Sequence, residues 1–233
     1  MMNESIIRIK NTAADIQLLS SYLKEMYKDT KWNDCLIYFD PNYINYLKKI
    51  IDLDSNLFYW LQFENETVGF MHLIARENEL YLNNIFLLKS FQGKKLAQKF
   101  LYAVIKLCNK EMFTLNVFQS NDIALKWYKK LGMKILENTF FYEVKNSDVY
   151  SEDYVTKKDD AGFTSIFIND NKIATVINGK SVMLHDANLM FNFKKYDIVL
   201  TRSDQKLTNN ALSFWDVSHK MLVSTSTILQ NLK

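Results

Sequence analysis

The segment ELYLNNIFLLKSFQGKKLAQKFLYAVIKLCNK, Glu79 to Lys110, changes its hydrophobic period once, near its middle. Glu79 to Leu88 reads as an apolar β-run. From Lys95 onward the apolar residues recur at helical spacing: Leu96, Phe100, Leu101, Val104, Ile105 and Cys108. The stretch between them, Lys89 to Lys94, is a tight turn. A strand that turns into a helix start is a general anion site. The first-turn N–H groups lack internal partners, and the helix dipole favours negative charge there. Lys94, Lys95 and Lys99 add positive charge at that same end. A pyrophosphate would be well received, although the three lysines also read as a solvated face.

Working outward, Ile6 to Ile9 reads as a short strand, and Asn11 or Thr12 caps a helix over Ala13 to Lys28. Asp40 is placed as the N-cap of a second helix, with Pro41 as its first residue, where a missing N–H costs nothing. Leu57 to Phe63 and Thr67 to Ala75 are β-runs joined by a hairpin loop at Glu64-Asn65-Glu66. Beyond the quoted segment come a strand, Met112 to Phe118, and a helix that starts at Ser120-Asn121-Asp122 and ends at Gly132. One or two strands follow over Met133 to Val144. The order β-α-α-β-β-β-α-β-α-β predicts a mixed α/β sheet flanked by helices.

Residues 147–161 are polar and read as a linker, which divides the chain into domains at 1–146 and 162–233. The second part is β-rich. Phe163 to Asn169 and Lys172 to Ile177 form a hairpin around Asp170-Asn171, and Asn178-Gly179 is a type I′ turn signal leading into Lys180 to His185. Tyr196 to Thr201 and Lys220 to Thr225 read as further strands. Ala187 to Asn192 and Asn209 to Trp215 read as short helical or loop pieces, and no internal repeat is evident. A β-module of that size has a marginal core alone, so it is expected to pack on the first part or on its twin in a homodimer.

Composition narrows the function classes. The net charge of +3 is too small to argue for nucleic acid. The two cysteines, Cys35 and Cys108, form no CxxC pair, so neither a zinc site nor a disulfide framework is expected. No signal peptide or membrane span is visible, which fits a reducing cytoplasm. His72, His185 and His219 stand apart in sequence, which argues against a metal or a His-based triad.

Two motifs carry a resemblance. Gln92-Gly93-Lys94-Lys95-Leu96-Ala97 resembles the pyrophosphate turn of the GNAT N-acetyltransferases, Gln/Arg-x-x-Gly-x-Gly/Ala, with Lys95 in place of the central glycine. Asn121-x-x-Ala124-x-x-x-Tyr128-x-Lys130-x-Gly132-Met133 resembles the family's second signature, with Met for the final Phe. Gly69 also sits where the family often has a glycine entering its third strand. The resemblance spans residues 6–144.

It implies acetyl-CoA as cosubstrate. The turn Gln92, Gly93, Lys94, Lys95, Leu96 and Ala97 would receive the pyrophosphate, and Asn121 would touch the pantetheine arm. Backbone N–H groups near Phe86 and Leu87 would hold the thioester oxygen, and the Tyr128 hydroxyl would protonate the departing thiolate. Helical spacing independently places Ala124 and Tyr128 on one face.

An amine nucleophile must also lose a proton. Strand alternation puts Glu79, Tyr81, Asn83 and Ile85 on one face. Some relatives carry a base glutamate at the position of Tyr81. Glu79, one alternation away, is the candidate base, with Tyr81 and Asn83 beside the substrate. Each residue also has a structural reading: Tyr128 as core, Asn121 as cap, Glu79 as a strand-edge charge.

The expected activity is transfer of an acetyl group to a primary amine, on a small molecule, amino sugar or peptide N-terminus, by direct attack in a ternary complex. The alternative is a catalytically weak CoA-binding or regulatory module. A transferase acting on charged tRNA is the third reading, and the small charge counts against it.

Overall fold

The computed structural model describes residues 4–145, 154–186, 193 and 195–233. In chain order the elements are β1 (Glu4–Arg8), α1 (Ala13–Tyr27), α2 (Tyr43–Ile50), β2 (Asn56–Phe63), β3 (Glu66–Ala75), β4 (Glu79–Leu87), α3 (Leu96–Cys108), β5 (Met112–Phe118), α4 (Asp122–Lys130) and β6 (Lys134–Val144). There follow β7 (Val155–Lys158), β8 (Thr164–Ile168), β9 (Asn171–Ile177), β10 (Ser181–Leu184), β11 (Ile198–Ser203), β12 (Leu212–Ser224) and α5 (Thr225–Asn231). Short 3-10 turns occupy Ile37–Phe39 and Lys89–Phe91.

The chain forms two compact units that interleave in sequence. The first takes in Met1–Tyr22, Leu47–Glu137 and His219–Lys233; the second takes in Leu23–Tyr46 and Asn138–Ser218. This differs from a cut at 147–161. The reason is hydrophobic: Met221, Val223, Ile228 and Leu232 are buried in one cluster with Leu82, Phe100, Leu115 and Leu131. The end of the chain therefore completes the core of its beginning. Of the expected linker, 147–153 lie outside the described residues, while Val155–Lys158 form a strand paired with β8.

In the first unit the strands run in the order β1-β2-β3-β4-β5-β12. The first four pair antiparallel, and β4 pairs parallel with β5. Helices α3 and α4 connect β4 to β5 and β5 to β6. Their apolar faces (Leu96, Phe100, Leu101, Val104, Leu125) meet Met71, Leu73, Leu80 and Leu82 of the sheet. The loop between β2 and β3 turns on Glu64 and Asn65, with φ of 50° and 67°, a left-handed pair made without glycine. Gly69 is a case of close approach: a Cβ there would lie 2.0 Å from the Phe86 carbonyl oxygen, so β3 can press on β4 only without a side chain.

Within the second unit, β7/β8, β8/β9 and β9/β10 pair antiparallel, and β10 pairs parallel with β11. This repeats the strand pattern of β1 to β5, a repeat with no trace in the sequence. The connections differ. Where the first unit spends residues 88–111 on a turn and helix, the second has only 185–197 between β10 and β11, and the described residues 204–211 between β11 and β12 hold no helix. Its core gathers Val144, Ile166, Val182, Leu184, Phe193 and Val199.

Two local expectations shift. Helix α2 begins at Tyr43 rather than at Pro41, because Asp40 closes a turn first: its Oδ1 accepts from the N–H of Asn42 at 2.8 Å. Leu212–Trp215, expected as helix or loop, belong to β12. The expected piece at 187–192 lies outside the described residues.

Candidate active site

Strands β4 and β5 pair only from Glu79↔Met112 to Leu82↔Leu115. Both continue beyond that last pair, β4 to Leu87 and β5 to Phe118. Among the described residues, β4 from Asn83 onward has no β5 partner, so the strands open like a V. The opening starts where β4 is irregular. The β3–β4 register shifts between His72 and Leu73, which pair with Asn84 and Leu82, leaving Asn83 as the extra, bulged residue. A bulge adds twist and turns the strand away from its neighbour. The backbone N–H groups that would have faced β5 are then left for a ligand. Phe86 and Leu87 lie on this unpaired stretch.

The turn that follows is held from within. Gln92 donates from Nε2 to the Leu87 carbonyl at 2.9 Å, so its side chain fastens the turn to the end of β4. Gly93 has φ of 75°, and Lys95, the N-cap of α3, has φ of 59° and ψ of 11°. Lysine thus occupies the left-handed conformation that glycine adopts freely. No side chain caps α3, so its first-turn N–H groups remain open to an anion. Lys94 lies over the Phe91 ring at 5.0 Å, and Lys99 is paired with Glu4. Leu96 is core, and Ala97 packs half-buried beside it.

The strain at Lys95 gives a measurable expectation. A left-handed L-residue costs about 1–2 kcal/mol, and glycine's extra unfolded entropy takes back about 0.5–1. Lys95→Gly is expected to stabilise the protein by about 0.5–1 kcal/mol, read as a raised urea midpoint at unchanged slope. A lowered midpoint would show that the lysine side chain holds the turn.

On α4, Asn121 is the N-cap, its Oδ1 accepting from the Ala124 N–H at 3.2 Å. Capping uses the oxygen, and the Nδ2 donors remain available. Tyr128 is buried, 6% exposed, in the cluster that includes Leu82, Leu87, Leu115 and Val117, which flank the opening. Among the described residues its hydroxyl has no hydrogen-bond partner. Burial pushes its pKa well above the usual tyrosine value, so it stays protonated at neutral pH.

The structure does not bring Glu79 to this place. Its Oε1 pairs with Arg76 at 2.6 Å and accepts from Thr114 Oγ1 at 2.7 Å. It lies at the far end of β4 from Leu87, roughly 25 Å away at strand rise. Tyr81 lies on the paired stretch, with Arg76 over its ring at 5.0 Å and Asn116 bonded to its hydroxyl; burial raises its pKa. Asn83 is different: it is the first β4 residue past the last β5 pair.

Asn83 has a partner on a neighbouring strand that no motif or spacing connects to it. Its Nδ2 lies 2.9 Å from Nδ1 of the buried His72, whose Nε2 is 3.0 Å from Asn56 Oδ1. The imidazole stacks on Phe58 at 3.7 Å. Burial first, and then the charge of Arg8, push the His72 pKa from 6.5 down to about 3. Between those values the unfolded chain binds the proton and the folded chain does not, so stability falls as the pH drops. From pH 7 to pH 5 this loss is about 2 kcal/mol. Urea titrations at the two pH values check it, and His72→Phe is expected to remove that share of the pH dependence.

Among the described residues no helix is long and apolar enough to cross a membrane. No protein of curated function matches the sequence. Residues 19–133 match the model of the acetyltransferase (GNAT) family. The whole fold is similar to a tandem GNAT protein from the clavulanic acid biosynthesis pathway: TM-score 0.66 at 5% identity, over 96% of this chain and 99% of that one. It is also similar to the spermidine N-acetyltransferase from Vibrio cholerae, solved with CoA and spermine: TM-score 0.51 at 11% identity, over 97% of this chain and 98% of that one. With the open β4–β5 pair, the uncapped turn into α3 and both signature segments in one unit, residues 19–133 belong to the GNAT acetyltransferase family.

Proposed function

We propose that the chain transfers an acetyl group from acetyl-CoA to a primary amine by direct attack in a ternary complex. The observation that carries this reading is the β4–β5 opening beyond Leu82 and Leu115, with the Gln92–Lys95 turn at its end. An elongated ligand with a diphosphate fits that arrangement: its anion meets the open N–H groups at the start of α3, and its arm lies along the unpaired edge of β4.

When bound, acetyl-CoA supplies the activated carbonyl. The chain's own groups do the rest. Backbone N–H groups of β4 near Phe86 and Leu87 stabilise the carbonyl oxygen as charge develops on it. Asn121 Nδ2 holds the amide-rich arm. Asn83 offers its carboxamide oxygen to the incoming amine, or to the water that takes its proton. Tyr128 keeps its proton in a dry site and gives it to the thiolate as the C–S bond breaks. Glu79, bound to Arg76 and Thr114, serves to hold the start of β4.

The second unit is proposed to lack a CoA site of its own, since its β10–β11 connection, 185–197, is little more than half as long as 88–111, and residues 204–211 lead from β11 into β12 without a counterpart of α4. Calorimetry with coenzyme A is therefore expected to give one site per chain, and acetyl-CoA with a panel of diamines, amino sugars and peptides to release thiol. Absence of CoA binding would remove the proposal. CoA binding without thiol release on any amine would favour the second reading, a CoA-binding module with little turnover. The strained lysine in place of the motif glycine is the observation on its side.

A further inference from the structure

Three strands of the first unit carry a polar rung on the face of the sheet opposite the α3–α4 core. Asn56 on β2, His72 on β3, and Asn83 and Asn84 on β4 form one chain of hydrogen bonds. Met71 and Leu73 face the α3–α4 core, so strand alternation puts Phe70 and His72 on the opposite face, where Phe70 stacks with Tyr22 of α1.

From Asn83 through His72 to Asn56 the donors run one way. Asn56 gives its Nδ2 hydrogen to Ser55 Oγ at 3.4 Å, which leaves its Oδ1 facing His72 Nε2. That nitrogen must then carry the proton, so Nδ1 is the bare one and accepts. Asn83 Nδ2 donates to it at 2.9 Å and to Asn84 Oδ1 at 2.8 Å. Both N–H bonds of the Asn83 carboxamide are thereby used, and among the described residues Oδ1 is its one open hydrogen-bonding atom. Arg8, which donates to the Asn56 carbonyl, sets a positive charge near the imidazole and opposes a second proton on it.

Building on the transferase reading, we propose that His72 is a positioning residue: as its neutral Nε2–H form it takes an N–H of Asn83 and fixes the carboxamide so that Oδ1 receives an N–H of the acceptor amine at the mouth of the β4–β5 opening. An oxygen held this way accepts and cannot donate. It recognises amines and repels groups that present only a lone pair. The bulge supplies the place, and the imidazole supplies the orientation. A freely rotating asparagine would present its NH2 as often as its oxygen.

Two measurements test this. In protein labelled with 15N-histidine, two-bond 15N–1H correlation spectra are expected to show His72 as the neutral Nε2–H tautomer from pH 5 to pH 9, and Asn83→Leu is expected to shift its Nδ1 resonance. An Nδ1–H tautomer, or a titration between pH 5 and pH 8, overturns the proposal. The second measurement uses the amine that the wild type acetylates fastest in the panel. His72→Phe keeps the ring on Phe58 and removes the acceptor. It is expected to raise KM for the amine about tenfold, with kcat and coenzyme A affinity nearly unchanged. His72→Asn, whose Oδ1 stands near the lost Nδ1, is expected to recover most of that loss. An unchanged amine KM in His72→Phe overturns the positioning role alone, whereas coenzyme A failing to bind the wild type removes the transferase reading itself.

Discussion

A chain ended at Ser218 is expected to lose cooperative unfolding altogether. The residues removed form the end of β12 and α5, and they bury Met221, Val223, Ile228 and Leu232 against α3, α4 and the sheet. Full burial of such side chains stabilises by roughly 1.5–3 kcal/mol each, about 6–12 kcal/mol for the four. That sum is an upper estimate, because unfolded chains already bury some surface. Even halved, it rivals the roughly 5–15 kcal/mol that a domain has in total.

The hydrogen bonds point the same way. Asn231 donates to the Leu131 carbonyl at 3.1 Å, closing the end of α4, and Gln98 of α3 donates to the Leu232 carbonyl at 3.1 Å. Removal leaves these groups to water and opens a strand edge beside β5, an invitation to aggregation. The measurement is a thermal melt followed by circular dichroism at two wavelengths, with light scattering. A truncated chain that melts as sharply and as high as the full one would refute the interleaved core. The same argument predicts that residues 1–146 expressed alone fail to fold, however complete their motifs are.

This interleaving shows where sequence reading reaches its limit. The order of elements from β1 to β6 was legible because each rests on local periodicity, and the left-handed turn at Asn178-Gly179 announced itself by residue type, while the turn expected around Asp170-Asn171 falls one residue earlier, at Asn169-Asp170. The turn into α3 and the Asn121–Tyr128 spacing were legible as motifs. What escaped notice depends on partners far apart in the chain. Helix α5 is short and carries few apolar residues, so nothing local says that Ile228 sits in the core of the first unit. The opening of β4 from β5 is a matter of register, fixed by a bulge at Asn83 that composition does not mark. His72 looked isolated because Asn56 and Asn83 lie on other strands. Glu79 is the reverse case. Strand alternation grouped it with Asn83, but the bulge at Asn83 breaks that alternation, and its distance along β4 and its partners, Arg76 three residues back and Thr114 on β5, hold it elsewhere.

Tyr128→Phe is the sharpest test of the chemistry, because its effects on stability and on rate should separate. A tyrosine kept for the fold would have its hydroxyl paired, and losing it would cost about 1 kcal/mol or more. Here the hydroxyl has no partner among the described residues, and burial holds its pKa high. Deleting it removes a hydroxyl without a protein partner among the described residues and leaves the ring packed beside Trp127, whose centroid is 5.0 Å away. Stability is therefore expected to hold or rise slightly.

The rate is another matter. Without an acid, the thiolate must leave with its full charge in an apolar site. General acid catalysis contributes about 10²–10⁴-fold, so kcat is expected to fall by at least about a hundredfold while coenzyme A affinity stays within about twofold. An amine panel followed by thiol release, together with calorimetric titration of coenzyme A, reads both quantities. Since the wild-type hydroxyl does not ionise near neutrality, the remaining rate should show no new dependence on pH between 6 and 9. Equal rates in the two proteins would take the acid role from Tyr128 and leave the thiolate to depart unaided. The presence on α4 of a tyrosine whose hydroxyl has no protein partner among the described residues would then need another cause.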